Sequence, residues 1–337
     1  MTHGELAQRR EIESAILETV LYSDLFDYPL THAELAHYLI RVQADGETVR
    51  VCLGAPRYLD GHLRQIDGYV VARGREALID RRRARQAASA CLWLRARRFA
   101  RILAALPFVR MVAVSGALAM DNSADGDDID VMIVAAPGRV WTARLFAVAL
   151  VVAGKLFGDT LCPNYLVSEN VLALERRDLF SAHEFAQMVP LYGLPVYARM
   201  CAANAWVGDF LPNARAPLRR ECEVRAGRLG RAVKRLAEWL LGGRLGDALE
   251  DWEMRRKQRK FAPRLSAASG AILDRDHVKG HFDDYAAPVM RLYAERLAQF
   301  DLAGAEELSG HAGTSSHPRK RVSRRRALDS RLRGNDG

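Results

Sequence analysis

Between Val112 and Ala135 the chain reads VAVSGALAMDNSADGDDIDVMIVA, and two carboxylates stand two residues apart at the mouth of an apolar run. Asp128 and Asp130 flank Ile129 and are followed at once by Val131-Met132-Ile133-Val134. In an extended strand successive side chains alternate between faces. The two acids therefore point one way and Ile129 the other, with the acids about 7 Å apart at two rises of ~3.3 Å. Two like charges on one face repel unless something positive lies between them. Hard carboxylate oxygens suit Mg²⁺, which keeps water and phosphate oxygens in its remaining positions. Upstream, the apolar run Met111 to Val114 delivers Ser115-Gly116, a turn at which backbone can approach a phosphate with no Cβ in the way. Glycine for the phosphate and paired Asp for the metal together point to phosphoryl or nucleotidyl transfer. Asp121, Asp125 and Asp127 read as loop residues.

The order hydrophobic, Gly, small residue, spacer 118–127 and Asp-hydrophobic-Asp-hydrophobic resembles the signature of the DNA polymerase beta-like nucleotidyltransferase superfamily. Gly116 takes the glycine place, Ala117 the small-residue place, and Asp128 and Asp130 the metal-binding pair. The resemblance implies an α+β fold with a twisted mixed sheet flanked by helices. It also implies two Mg²⁺ ions shared by the carboxylates and an NTP, and transfer of a nucleoside monophosphate to a hydroxyl acceptor, which the sequence does not identify, with pyrophosphate leaving. Ser115 and Gly116, with Ser123 in the spacer, are its candidates for holding the nucleotide. A third carboxylate is expected on a later strand. Asn164 stands there beside Tyr165-Leu166-Val167, and Glu169, which closes the strand, is the candidate. One further departure is Ala117, which lacks the hydroxyl usual after the glycine; Ser115 alternates to the other side of an extended backbone.

The chain has 337 residues and a net charge of +9, with 49% hydrophobic and 27% charged residues, a globular composition. The charge is uneven. Residues 317–337 hold eight Lys/Arg against two Asp and so carry six of the nine charges. That segment has no apolar periodicity and is expected to be a disordered basic tail. The five cysteines, at 52, 91, 162, 201 and 222, form no CxxC pair, which fits a reducing cytoplasm. The polar N-terminus and the shortness of the apolar run 145–154 predict no signal peptide and no membrane partner.

Around the motif the expected elements fall into four segments. Residues 1–80 offer a helix near 10–25, a second helix that Thr31 and Glu34 start as a capping box, a third over 56–63, and a strand at 69–71. Three short helices and a hairpin resemble a winged-helix domain, and LFDYPLTHAEL resembles a bacterial nucleotidyltransferase group that carries one; DNA binding by this segment is the corresponding expectation. Residues 81–185 form the core. It opens with a helix over 79–105 whose arginines, Arg81 to Arg98, read as a solvated face. A buried helix follows at 140–156, where Arg144 can reach a triphosphate or join an ion pair, and then Ser181 caps a helix with Glu184 three residues on. Residues 186–305 read as mostly helical, with Leu229, Val233, Leu236 and Leu240 as a core-facing stripe. In that region 254–261 reads as a solvated basic face, and His277, Lys279 and His281 are secondary candidates for metal or substrate. Residues 306–337 are the tail. The competing function is a catalytically degenerate regulator that binds DNA or a partner.

Overall fold

The computed structural model describes residues 2–59, 61–155, 161–264, 271–279 and 286–300. The described residues are α+β, 54% helix and 14% strand. Helix α1 (His3–Asp24) opens with a reciprocal capping box between Thr2 and Glu5. It is followed by β1 (Leu30–Thr31), α2 (His32–His37), α3 (Gly46–Gly54), β2 (Leu63–Ile66) and β3 (Tyr69–Ala72), the three strands pairing antiparallel in the order β1-β3-β2. The Thr31–Glu34 capping box forms as expected. The hairpin turns at Asp67-Gly68, with φ of 51° and 81°, the left-handed pair that a tight two-residue turn requires. The third helix lies upstream of the expected 56–63 segment. Asp45 starts it by accepting from the Thr48 N–H at 2.7 Å, whereas residues 55–59 run as bends.

The central sheet is assembled from α4 (Leu78–Ala105), β4 (Val109–Val114), the four-residue α5 (Gly116–Ala119), β5 (Ile129–Ala135), α6 (Val140–Lys155), β6 (Leu161–Ser168), α7 (Leu179–Ala186) and β7 (Val189–Tyr192). Then come α8 (Leu194–Ala203), α9 (Val207–Phe210), α10 (Arg228–Leu240), α11 (Arg244–Phe261), β8 (Ile272–Leu273), β9 (His277–Lys279) and α12 (Ala286–Ala298). Six strands run in the order β7-β4-β5-β6-β9-β8; only β5 and β6 are parallel. Three of the six lie beyond residue 185, so the sheet does not end at the expected boundary. Strands of two to four residues are too short to show a period-two pattern, which is why the region reads as helical.

Alternation divides the sheet cleanly. Val112, Val114, Val131, Ile133 and Leu166 pack beneath α4 and α6. Met111, Ala113, Met132, Val134 and Val167 form the opposite face, in one core with the N-terminal unit, α7, α8 and α12. The N-terminal unit therefore shares its core with the central sheet. Part of the seam is aromatic: Tyr22 of α1 stacks on His183 of α7 at 4.1 Å and meets Tyr293 of α12 edge-on at 5.3 Å.

Burial pushes the fully enclosed His183 down to about 4. A histidine depressed from its ordinary 6.5 contributes stability that is present above that value and lost as pH falls toward 4, about 3 kcal/mol in all. The expected outcome is that His183→Gln flattens the fall in melting temperature between those two pH values. An unchanged acid profile would show that His183 is not the buried group that titrates.

Helix α10 sits the other way round from the expectation. Lys234 is only 8% exposed, and its amine donates to the carbonyls of Ala104 at 3.0 Å and Val109 at 2.6 Å. Glu238 accepts from the Phe108 N–H and pairs with Arg110, both at 2.7 Å. The helix docks through these polar anchors at the carboxyl end of α4, where carbonyls lack partners and favour a cation. Its leucine stripe is left facing solvent. Helix α11 docks by a converse device: buried Glu250 accepts from the N–H groups of Trp141 and Thr142 at 2.8 and 2.7 Å, supplying an anion to the first turn of α6.

Candidate active site

Strand β4 pairs with β5 antiparallel, Val114 opposite Val131. One step further, the Ser115 N–H donates to the Asp130 carbonyl at 3.0 Å. Ser115 and Asp130 are thus cross-strand neighbours on one face, and residues so placed have Cβ atoms about 5 Å apart. Ser115 heads α5 without a side-chain cap bond to it. Gly116 then adopts φ +64°, and a Cβ placed there would lie 2.8 Å from Asp130 Oδ2. Two constraints require glycine at this position, the left-handed backbone and the contact with the carboxylate. Ala117 is exposed.

Asp128 and Asp130 lie on the sheet face of Met132 and Val134, as alternation requires. Asp128 is exposed just before the strand; Asp130 is half-buried. Burial pushes the Asp130 carboxyl up to about 7, a hydrogen bond with Cys162 opposes the rise, and Glu184, Asp128 and Asp127 add to it. Cys162 is the parallel partner of Asp130 on β6, and Asn164 occupies the irregularity between the pairs Val131–Pro163 and Met132–Tyr165. The third strand therefore brings a thiol beside Asp130, not an acid.

A further carboxylate whose charge acts on Asp130 comes from a helix. Glu184 on α7 reaches solvent, yet burial is the first cause raising its pKa, with Lys279 opposing. Lys279 stands opposite Tyr165 on β9 and is the cation that opposes this rise. Asp178, not Ser181, caps α7, accepting from the Ser181 N–H at 2.8 Å, so Glu184 is not spent on a capping box. No local pattern marks Glu184 as a site residue; the Tyr22–His183 stack brings it there.

The spacer is fixed by elements on both sides. Trp93 Nε1 donates to Asp121 at 2.7 Å, and Arg219 forks onto both Asp121 oxygens at 2.8 and 2.7 Å. Asp127 closes a turn by accepting from the Ala124 N–H at 2.7 Å. Arg82 is 1% exposed and donates to the carbonyls of Met120 and Asp121 while pairing with Glu34 at 2.9 Å. The expected solvated arginine face fails at this residue. Local sequence gave no sign of it, because its acid partner lies in α2.

Several candidates stand elsewhere. Glu169 is the largest correction. Because β5 and β6 are parallel, the strand end that carries Glu169 lies beside Ala135, about 23 Å along β6 from Cys162 at ~3.3 Å per residue. Its carboxylate pairs there with Arg199. Ser123 is fully buried, its N–H donating to Ser89 Oγ at 3.1 Å, so it is closed to a nucleotide arriving from solvent. Arg144 faces Glu253 of α11, on the α6 side of the sheet. His277 lies in a strand and pairs with Asp274 at 3.2 Å, so it shares no helix face with His281, which falls outside the described residues, as does the segment 306–337.

The donor set fits Mg²⁺ in the form that takes one or two carboxylates and completes itself with water and phosphate oxygens. Among the described residues no group of three His, Cys, Asp or Glu is gathered as a ready metal cage, and none of the helices there is long and apolar enough to cross a membrane. Comparison with profiles of known protein families, with curated proteins and with solved structures found no match to this chain.

Gly116→Ala is expected to cost about 1–2 kcal/mol of stability from the left-handed backbone and, in addition, to displace Asp130. Gly126, at φ +85° with nothing within 4 Å, supplies the control for strain alone. Nucleotide affinity should fall much further in Gly116→Ala than in Gly126→Ala; equal losses would dissociate the glycine from the carboxylate.

Proposed function

We propose that this chain is a Mg²⁺-dependent nucleotidyltransferase that transfers a nucleoside monophosphate from an NTP to a hydroxyl acceptor. The observation that carries the reading is the contact between the Gly116 turn and the Asp130 carboxylate. It sets a backbone segment without a side chain beside paired acids on one sheet face. Asp128 and Asp130 would hold the metal, which when bound supplies positive charge to the triphosphate and to the charge developing in an in-line displacement. The chain's own groups do the rest. Ser115 and Gly116 present hydroxyl and backbone to the phosphates. Glu184, whose charge acts on Asp130 and is opposed by Lys279, is our candidate to receive a proton from an entering hydroxyl.

The N-terminal unit has the helix and strand order of a winged helix, and we read it as a brace. The outward residues Glu47 and Arg50 of α3 are bonded to each other at 2.6 Å and offer no net charge to a phosphate backbone. Through Arg82 and His183 the same unit holds the spacer and α7 in place.

The reading is tested with NTPs labelled on the α-phosphate, incubated with Mg²⁺, the full-length protein and a cell extract. Label is expected to pass to one acceptor with release of pyrophosphate, and not with Asp128→Asn. Transfer that is equal in the variant would remove the assignment.

A further inference from the structure

Helix α10 exposes side by side two stripes that soluble helices ordinarily separate. Leu229, Val233, Leu236 and Leu240 recur at four, three and four residues and form one ridge; Leu229 is 78% exposed. Trp239, 77% exposed, borders the ridge toward the second stripe, Arg228, Arg231 and Arg235. Among the described residues none of these three arginines is paired with an acid. The sequence continues past the helix with Arg244 and Leu245, both exposed. The polar anchors Lys234 and Glu238 fix this orientation, so the apolar ridge is not a docking face for the rest of the described residues.

Each feature constrains the occupant. An aliphatic ridge has nothing to offer a nucleic acid, whose grooves and phosphates ask for donors and stacking rings. A second copy laid antiparallel about a twofold axis would set arginine stripe against arginine stripe. The C-terminal segment 317–337 is itself basic and is repelled by the same charges. A helix with leucine and tryptophan on one side and arginines beside them instead matches the boundary of a bilayer. There the apolar chains enter the acyl layer, the indole sits at the headgroups and the guanidinium groups meet lipid phosphates.

We infer that α10 docks the protein onto an anionic phospholipid surface, lying in the interface without spanning it. The expectation of no membrane partner rested on the lack of a span, which this arrangement does not need. Through α4, α10 lies on the opposite side of the sheet from Asp128 and Asp130, so a docked molecule leaves those acids uncovered. The inference does not depend on the reaction proposed above.

The test is flotation of the full-length protein with vesicles of phosphatidylcholine alone and of phosphatidylcholine with phosphatidylglycerol. Binding is expected to the second kind only, with a blue shift of tryptophan emission that Trp239→Phe removes. Leu236→Ser/Trp239→Ser, both exposed and both neutral, should abolish binding while circular dichroism and melting stay as in the wild type. Each of Arg228→Gln and Arg235→Gln should weaken it about fivefold. Absence of binding to either vesicle overturns the inference. So does binding that survives in the Leu236/Trp239 variant, which would place the attraction in other basic segments. A dimer in sedimentation that the same variant dissolves would overturn it in favour of a second copy.

Discussion

Asp130→Asn is expected to lower Mg²⁺-dependent nucleotidyl transfer on the order of a thousandfold, since charge stabilisation by a bound metal is worth several kcal/mol. The same variant should make the metal-free protein more stable. Burial raises Asp130 from 3.8 to about 7, so its contribution to stability is fully present below the lower value and lost as pH rises through the higher one. At about pH 8 the wild-type carboxylate is charged, crowded by acids and without a cation, a cost the amide does not carry. Thermal melting in chelator at that pH should place the variant above the wild type, and added Mg²⁺ should raise only the wild type. A variant that melts lower in chelator would mean that Asp130 is held by partners as an ordinary structural carboxylate. The trade is characteristic of a functional position: stability given up where charge is needed.

Arg82→Met is expected to cost about 3–5 kcal/mol, the range for breaking a buried ion pair from one side. The guanidinium is 2.6 Å from the Tyr28 hydroxyl, 2.9 Å from Glu34, and 3.1 and 2.7 Å from the carbonyls of Met120 and Asp121. It also lies 4.1 Å above the Tyr28 ring. Removing it leaves the Asp121 carbonyl without its side-chain donor and the mostly buried Glu34 carboxylate without its cation, with only the Tyr28 hydroxyl and Thr31 still donating to that acid. Lysine does not rescue, because a point charge cannot reach four acceptors spread across a fork. Chemical denaturation should show the full loss in Arg82→Met and a partial return in Arg82→Met/Glu34→Gln, where the stranded charge is gone and the amide oxygen can still accept from the Thr31 N–H. Activity should fall as well, since the spacer between Gly116 and Asp128 hangs from this residue. A loss no greater than that of the exposed neighbour substitution Arg83→Met would contradict the role given to Arg82.

What was legible in the sequence was local. Period-two alternation placed Asp128 and Asp130 on one face, and the glycine turn before them faces that carboxylate. The Thr31–Glu34 box and the Asp67-Gly68 turn are likewise short-range chemistry, and both form. What failed depended on tertiary neighbours. Glu169 looked like a third acid because strand order and direction are not written in β6 itself; parallel pairing with β5 sends its end away from Asp130. Glu184 was hidden because a helix delivers it. The α10 stripe was read inward because leucines usually face the core, whereas the carbonyls of Ala104 and Val109 claim Lys234 instead. Strands β7, β8 and β9 escaped because two to four residues carry no period.

The central claim is that the Gly116 turn and the Asp128–Asp130 pair together hold a metal-bound nucleotide. It is tested most directly by calorimetric titration of the full-length protein with a non-hydrolysable NTP, with and without Mg²⁺, because this readout needs no knowledge of the acceptor. Binding is expected only with Mg²⁺ and is expected to vanish in Asp128→Asn and Asp130→Asn. Binding of equal strength without the metal, or in both variants, would contradict the account.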